Sequence, residues 1–134
     1  MANRYWVNGT GTWTTSSTPW RTTSGGTINA ASPTSADDVF FDSNSGSGTV
    51  TLTGALNCRS LNITTASSFV FASTGTMTIQ STVLVPSNIT WSGAGTITHT
   101  GTGLTRDITW SPNLGTPPLT FSGSTATYNL LASI

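Results

Sequence analysis

From Val50 to Leu130 the chain repeats one small pattern, two apolar residues separated by a single residue. The pairs are Val50/Leu52, Leu61/Ile63, Phe69/Phe71, Met77/Ile79, Val83/Val85, Ile89/Trp91, Ile97 with His99, Ile108/Trp110, Leu119/Phe121 and Tyr128/Leu130. Residues two apart point to the same face of an extended strand, so each pair reads as the inward face of a short strand. The pairs recur every roughly 6 to 11 residues, and clusters of Gly, Asn, Ser or Pro fill the gaps. A helix has no place in such a pattern. The expectation is an all-β chain of many short strands.

One echo is closer than the rest. "NITWSG" at 88–93 and "DITWSP" at 107–112 share Ile-Thr-Trp-Ser at a separation suited to one winding of a stacked architecture. A short parallel β-solenoid (β-helix) of about four coils is therefore expected. In that arrangement inward side chains stack into apolar columns and outward ones into ladders. Threonine suits a ladder, being β-branched and able to hydrogen-bond, whereas stacked like charges repel. Only 6% of the residues are charged, and Lys and Glu are absent, so charge poverty and threonine richness share one cause. The residues leave a rival open, an antiparallel β-sandwich or jelly roll of similar strand lengths. Its usual mark, a tight Asn-Gly or Asp-Gly hairpin, is missing after residue 49.

The first part of the chain differs in character. Residues 1–48 carry Trp6, Trp13 and Trp20 at seven-residue steps in "RYWVNGTGTWTTSSTPW", too rich in Thr, Ser, Gly and Pro for a helical seam. They are expected to form a Trp-rich cap that, with Phe40 and Phe41, closes the open end of the repetitive region, residues 49–134, within one structural domain. The other end, "TYNLLASI", is apolar, and Leu130, Leu131 and Ile134 are the candidate assembly interface. Net charge is zero, which removes the repulsion that holds monomers apart. The expected partners are copies of the chain in a trimer or other symmetric oligomer, together with larger assemblies.

The same neutrality gives no footprint for a phosphate backbone or an anionic bilayer, so neither nucleic acid nor membrane is an expected partner. The beginning of the chain lacks the basic-then-apolar pattern of a secretory signal, and no apolar run reaches the ~18 residues of a membrane span. Synthesis in the cytoplasm is expected. Cys58 is a lone cysteine within "ALNCRSLNI" and reads as a buried small hydrophobe.

Chemistry is sparse. His99 lies on the apolar face of its strand and reads as a core histidine. Asp37, Asp38 and Asp42 form the acidic cluster. Paired-carboxylate glycoside hydrolysis and calcium binding are the functional readings, but Gly46 and Thr53 stand where a calcium loop places ligands. The structural reading is that Asp37 and Asp38 cap turns or pair with Arg4 or Arg21 and so tie the cap to the first coil. No catalytic residue, cofactor or metal site is assigned. Trp91 and Trp110 read first as core, with a glycan-stacking platform as the alternative.

"RYWVNGTGTW", "TTSGGTINAASPTSADDVFFDSNSGSGTVTL" and "CRSLNI" together resemble a recurrent β-rich module of bacteriophage virion structural proteins, of fibre, tail or head-decoration type, also seen in some bacterial surface proteins. The match covers roughly the first half of the chain, and Asn8 departs from an expected Gly, a turn position that Asn also tolerates. The resemblance implies a non-enzymatic virion component, a capsid decoration or short fibre that docks on a major capsid or tail protein, is assembled in the host cytoplasm and is released by lysis. The alternative is a carbohydrate-binding adhesion module of a tail fibre or bacterial surface protein, with a host surface glycan as partner.

Overall fold

The structure is a computed structural model that describes residues 1–13, 19–101, 105–110, 119–121 and 127–130, with side chains described as far as Gly101 and at Thr120. In chain order the strands are β1 (Asn3–Trp6), β2 (Gly11–Trp13), β3 (Trp20–Arg21), β4 (Asp38–Phe41), β5 (Gly48–Leu52), β6 (Ala55–Cys58), β7 (Ser60–Ile63), β8 (Phe69–Ser73), β9 (Thr76–Ile79), β10 (Val83–Val85), β11 (Ile89–Ser92), β12 (Thr96–His99), β13 (Thr105–Trp110), β14 (Leu119–Phe121) and β15 (Thr127–Leu130). There is no helix among the described residues, and the chain is all-β.

These strands form three sheets. The first has the order β15-β13-β10-β7-β4-β1-β3, the second β11-β8-β5-β2 and the third β14-β12-β9-β6. Every pairing between named strands is parallel except that of β1 with β3. Hairpins would have made neighbours in sequence neighbours in a sheet. Here β4, β5 and β6 enter the first, second and third sheets in turn, and the triplets β7-β8-β9 and β10-β11-β12 repeat that rotation.

Register follows the apolar pairs. Val39, Leu61 and Val83 align in the first sheet, and the backbone register continues through Ile108 to Leu130. Val50, Phe71 and Trp91 align in the second, and Leu56, Met77 and Ile97 in the third. All nine of these described inward residues are buried. A one-residue slip in any strand would turn its apolar residues outward, so the pattern itself fixes the pairing. Facing out are the ladders Thr49-Val70-Thr90 and Asn57-Thr78-Thr98-Thr120, half-buried or exposed throughout.

The corner between the second and third sheets explains two glycines. Gly93 has φ +94°, and a Cβ there would collide with the Ser73 carbonyl oxygen. At Gly75 the obstacle is the carbonyl oxygen of Gly54, one triplet earlier. Successive triplets pass too closely at this corner for a side chain.

At the β1 end the three tryptophans are fully buried. Trp20 meets Trp6 edge-on at 5.2 Å and Trp13 at 4.8 Å, while Trp6 stacks on Phe41 at 5.5 Å. Phe41 also touches Phe69 and Phe71, and Phe71 stacks on Trp91, so one aromatic column runs from the tryptophans into the repetitive region. Phe40 is different. It alternates with Phe41 to the outer face, half-buried, and stacks on Tyr5 at 4.9 Å. The register also starts before residue 49, since β4 already pairs with both β1 and β7.

Candidate functional site

Asp37 and Asp38 tie separate strands together. Asp37 Oδ2 accepts from the Thr34 N–H at 3.0 Å and its hydroxyl at 2.8 Å, Asp37 Oδ1 accepts from the Ala2 N–H at 3.1 Å, and Arg4 lies 3.7 Å away. Burial works against its charge, but the two Thr34 bonds, the Arg4 guanidinium and the Ala2 N–H outweigh it and hold the carboxyl below its ordinary 3.8. Asp37 thus ties the start of β1 to the turn before β4. Asp38 pairs with Arg59 and accepts from the Ser60 hydroxyl, joining β4 to β7. The expected aspartate pairing occurs with Arg4, whereas the partner of Asp38 is Arg59. Asp42 Oδ1 accepts from the Asn44 N–H at 2.9 Å in a local turn.

Cys58 is buried, and burial, helped by the nearby charge of Asp38, pushes its thiol far up. A thiolate is the reactive form, so this is a packing cysteine. His99 is also buried. The Gly101 N–H donates to Nδ1 at 3.4 Å, which places the proton on Nε2 facing the Ser81 carbonyl at 2.5 Å. His99 thus occupies the column of Cys58 and Ile79 while its ring nitrogens bond to backbone. Among the described residues no group of three or more His, Cys, Asp or Glu is placed to hold a metal ion, and no helix is long and apolar enough to cross a membrane.

Trp91 is fully buried and stacks on Phe71 at 5.2 Å with an interplanar angle of 9°. The glycan-platform reading of Trp91 is therefore corrected: a sugar ring needs an exposed indole face, and this face is covered by phenylalanine. For Trp110 and Leu130 the structure describes strand backbone alone, aligned with Val85 and Ile108 respectively. Leu131 and Ile134 lie outside the described residues.

The sequence reading passed over one concave feature. A cavity of about 450 Å³ lies beside β6, walled by Ala55–Asn57 on one side and Ser32–Ser35 on the other, with Trp13 also lining it. Among the described residues β6 is the end strand of the third sheet. Past β4 the first sheet continues through β1 to β3, and past β5 the second continues to β2. The segment that precedes β4 and walls this cavity is folded into a turn: the Asp37 N–H donates to the Thr34 carbonyl at 3.0 Å and the Ala36 N–H to the Thr34 hydroxyl at 3.3 Å. Pro33 has no N–H to offer. The sequence signal was present in Pro33-Thr34-Ser35, polar and kinked where the register calls for an extended rung.

A second depression, of about 570 Å³, lies over the second sheet between Ser47–Thr49 and Ser67–Val70. Comparison with family models, with curated proteins and with solved structures finds no match.

Proposed function

We propose that the chain is a non-enzymatic structural module of a bacteriophage virion, a capsid decoration or short fibre built as a short parallel β-solenoid. On this reading the three-strand triplets are its coils, the tryptophan cluster is its cap, and the far end around Leu130 is where it docks and self-associates. The observation that carries the proposal is the parallel register running through all three sheets, together with ionisable groups engaged in joining one strand to the next. An architecture held in this way offers rigidity and repeated, uncharged outer faces. Those properties suit a particle component better than a catalyst, which needs titratable groups free to move protons. The resemblance of residues 4–13 and 22–52 to the phage module points the same way.

A parallel stack leaves strand edges at its end, and these recruit another chain unless they are covered. The test is the mass of the chain in solution, by size-exclusion chromatography with light scattering over rising concentration. The proposal expects a symmetric oligomer that substitution of Leu130 and Leu131 by Asn dissociates. A strictly monomeric species at the highest concentration would count against it.

A further inference from the structure

We infer that Asn8-Gly9, in the turn between β1 and β2, is a self-modification site that the fold keeps shut, and that opening of the tryptophan cap releases it to convert Asn8 irreversibly to aspartate and isoaspartate. The inference goes beyond the virion reading and does not need it.

The chemistry comes from the sequence. Asn8-Gly9 is the one Asn-Gly step in the chain, and glycine, lacking Cβ, leaves its own backbone nitrogen unshielded beside the asparagine side chain. In the conversion that nitrogen loses its proton and bonds to Asn8 Cγ, the Cγ–Nδ2 bond breaks, and ammonia leaves. The cyclic succinimide so formed takes up one water at either of its carbonyls. Attack at one carbonyl gives aspartate. Attack at the other gives isoaspartate, whose backbone runs through the former side chain and is one methylene longer. Water is the only co-reactant, and nothing is oxidised or reduced.

The structure supplies both access and a guard. Asn8 is exposed, so water reaches its side chain. The Gly9 nitrogen is engaged, its N–H donating to the Ser45 carbonyl at 2.9 Å. Ring closure swings that nitrogen towards Asn8 Cγ, so the bond to Ser45 has to break first. The bond lies within a closed seam. The Gly9 carbonyl accepts from Trp6 Nε1 at 2.9 Å, and the Thr10 hydroxyl accepts from the Thr49 N–H at 3.2 Å. Gly46 packs so closely that a Cβ on it would stand 3.3 Å from Gly9 Cα. The loop that provides Ser45 is itself fastened: Ser45 is fully buried, its hydroxyl accepts from the Asp42 N–H at 2.9 Å, and its N–H donates to the Asp42 carbonyl at 3.0 Å. The Gly9 nitrogen is therefore freed when the β1–β2 turn parts from this loop, a local opening rather than global unfolding.

Conversion then hinders the return. Either product adds one negative charge to a chain of zero net charge. The isoaspartate branch also lengthens the backbone beside Gly9, which is enclosed so tightly that a Cβ on it would stand 2.7 Å from the Ser47 carbonyl oxygen. A longer turn does not fit that seam without displacing the loop.

The full chain is incubated at mildly alkaline pH, folded and in guanidinium chloride. Peptide mapping by mass spectrometry follows conversion at Asn8, and hydrogen exchange follows the Gly9 amide. In denaturant Asn8 should convert ahead of every other asparagine. In the folded chain its conversion should be at least about tenfold slower, the effect of one hydrogen bond held within a packed seam. Ser45→Ala removes the hydroxyl that fastens the loop, and should speed Gly9 exchange and Asn8 conversion together by about threefold or more. The wild-type comparison needs no altered protein, and circular dichroism confirms that the variant is read in its folded form. Refolded chain carrying isoaspartate should melt below Asn8→Asp, which has the charge without the longer backbone. Equal rates in folded and unfolded wild type would overturn the guard, as would a change in one of the two Ser45→Ala rates without the other. Melting of the isoaspartate chain together with Asn8→Asp would overturn the hindered return.

Discussion

Phe40 and Phe41 are adjacent and chemically identical, yet the fold gives them opposite surroundings, and this allows a sharp test. Phe41 is fully buried, with its ring centroid 5.5 Å from Trp6, 5.6 Å from Phe69 and 5.1 Å from Phe71. Truncating a buried phenylalanine to alanine costs about 3 to 5 kcal/mol, the larger values where the hole does not collapse. The rings around Phe41 are themselves locked against Trp20 and Trp91, so collapse is limited and about 4 kcal/mol is expected for Phe41→Ala. At roughly 2.1 cal/mol/K per residue, the unfolding entropy of 134 residues is about 0.28 kcal/mol/K. The melting temperature should then fall by about 14 °C. Phe40→Ala removes a half-exposed ring stacked on Tyr5, for a loss of about 1 kcal/mol and about 4 °C. Thermal unfolding followed by tryptophan fluorescence and circular dichroism reads both. Equal losses, or a larger loss at Phe40, would refute the alternation on which the inward columns depend.

The carboxyl of Asp37 titrates below its ordinary 3.8 in the folded chain, so its stabilising contribution is present above that value and is lost as pH falls through the lower folded one. Urea midpoints measured from about pH 7 to pH 2 should show the gap between the wild type and Asp37→Asn narrowing in that acid range. Cys58, buried with its thiol pushed up, should stay unreactive to a disulfide reagent at about pH 8 and react in full once the chain is unfolded in urea. Gly75→Ala sets a methyl group against the Gly54 carbonyl and should destabilise by about 2 kcal/mol or more, read as a lowered urea midpoint. Thr78→Ala, at a half-buried ladder position one strand from the edge, should change that midpoint by no more than about 0.5 kcal/mol.

The inward residues were legible in the sequence because a period of two admits one reading: Met77/Ile79 and Ile97 with His99 can both face inward only if Thr78 and Thr98 face out. The burial of the three tryptophans was legible for a similar reason, large apolar rings having no other shelter in a chain this polar. Partner identities were not legible. Asp38 meets Arg59 because β4 lies beside β7, a pairing that no local signal near Asp38 announces. Cross-strand links are not confined to threonine: beside the Thr49 N–H bond to the Thr10 hydroxyl, Asn62 donates to the Val39 carbonyl and Asn88 to the carbonyls of Thr65 and Ser67. The cavity beside β6 escaped the sequence because the turn at Thr34 that walls it has no apolar period to betray it, and pattern reading rewards repetition.

Everything argued for the module depends on strands far apart in sequence lying side by side and parallel. Nuclear Overhauser contacts in the labelled chain test this directly. The account predicts contacts from the Met77 methyl to Leu56 and to Ile97, with no close Hα–Hα pairs between β8 and β9. Strong Hα–Hα contacts between those two consecutive strands would show a hairpin and contradict it.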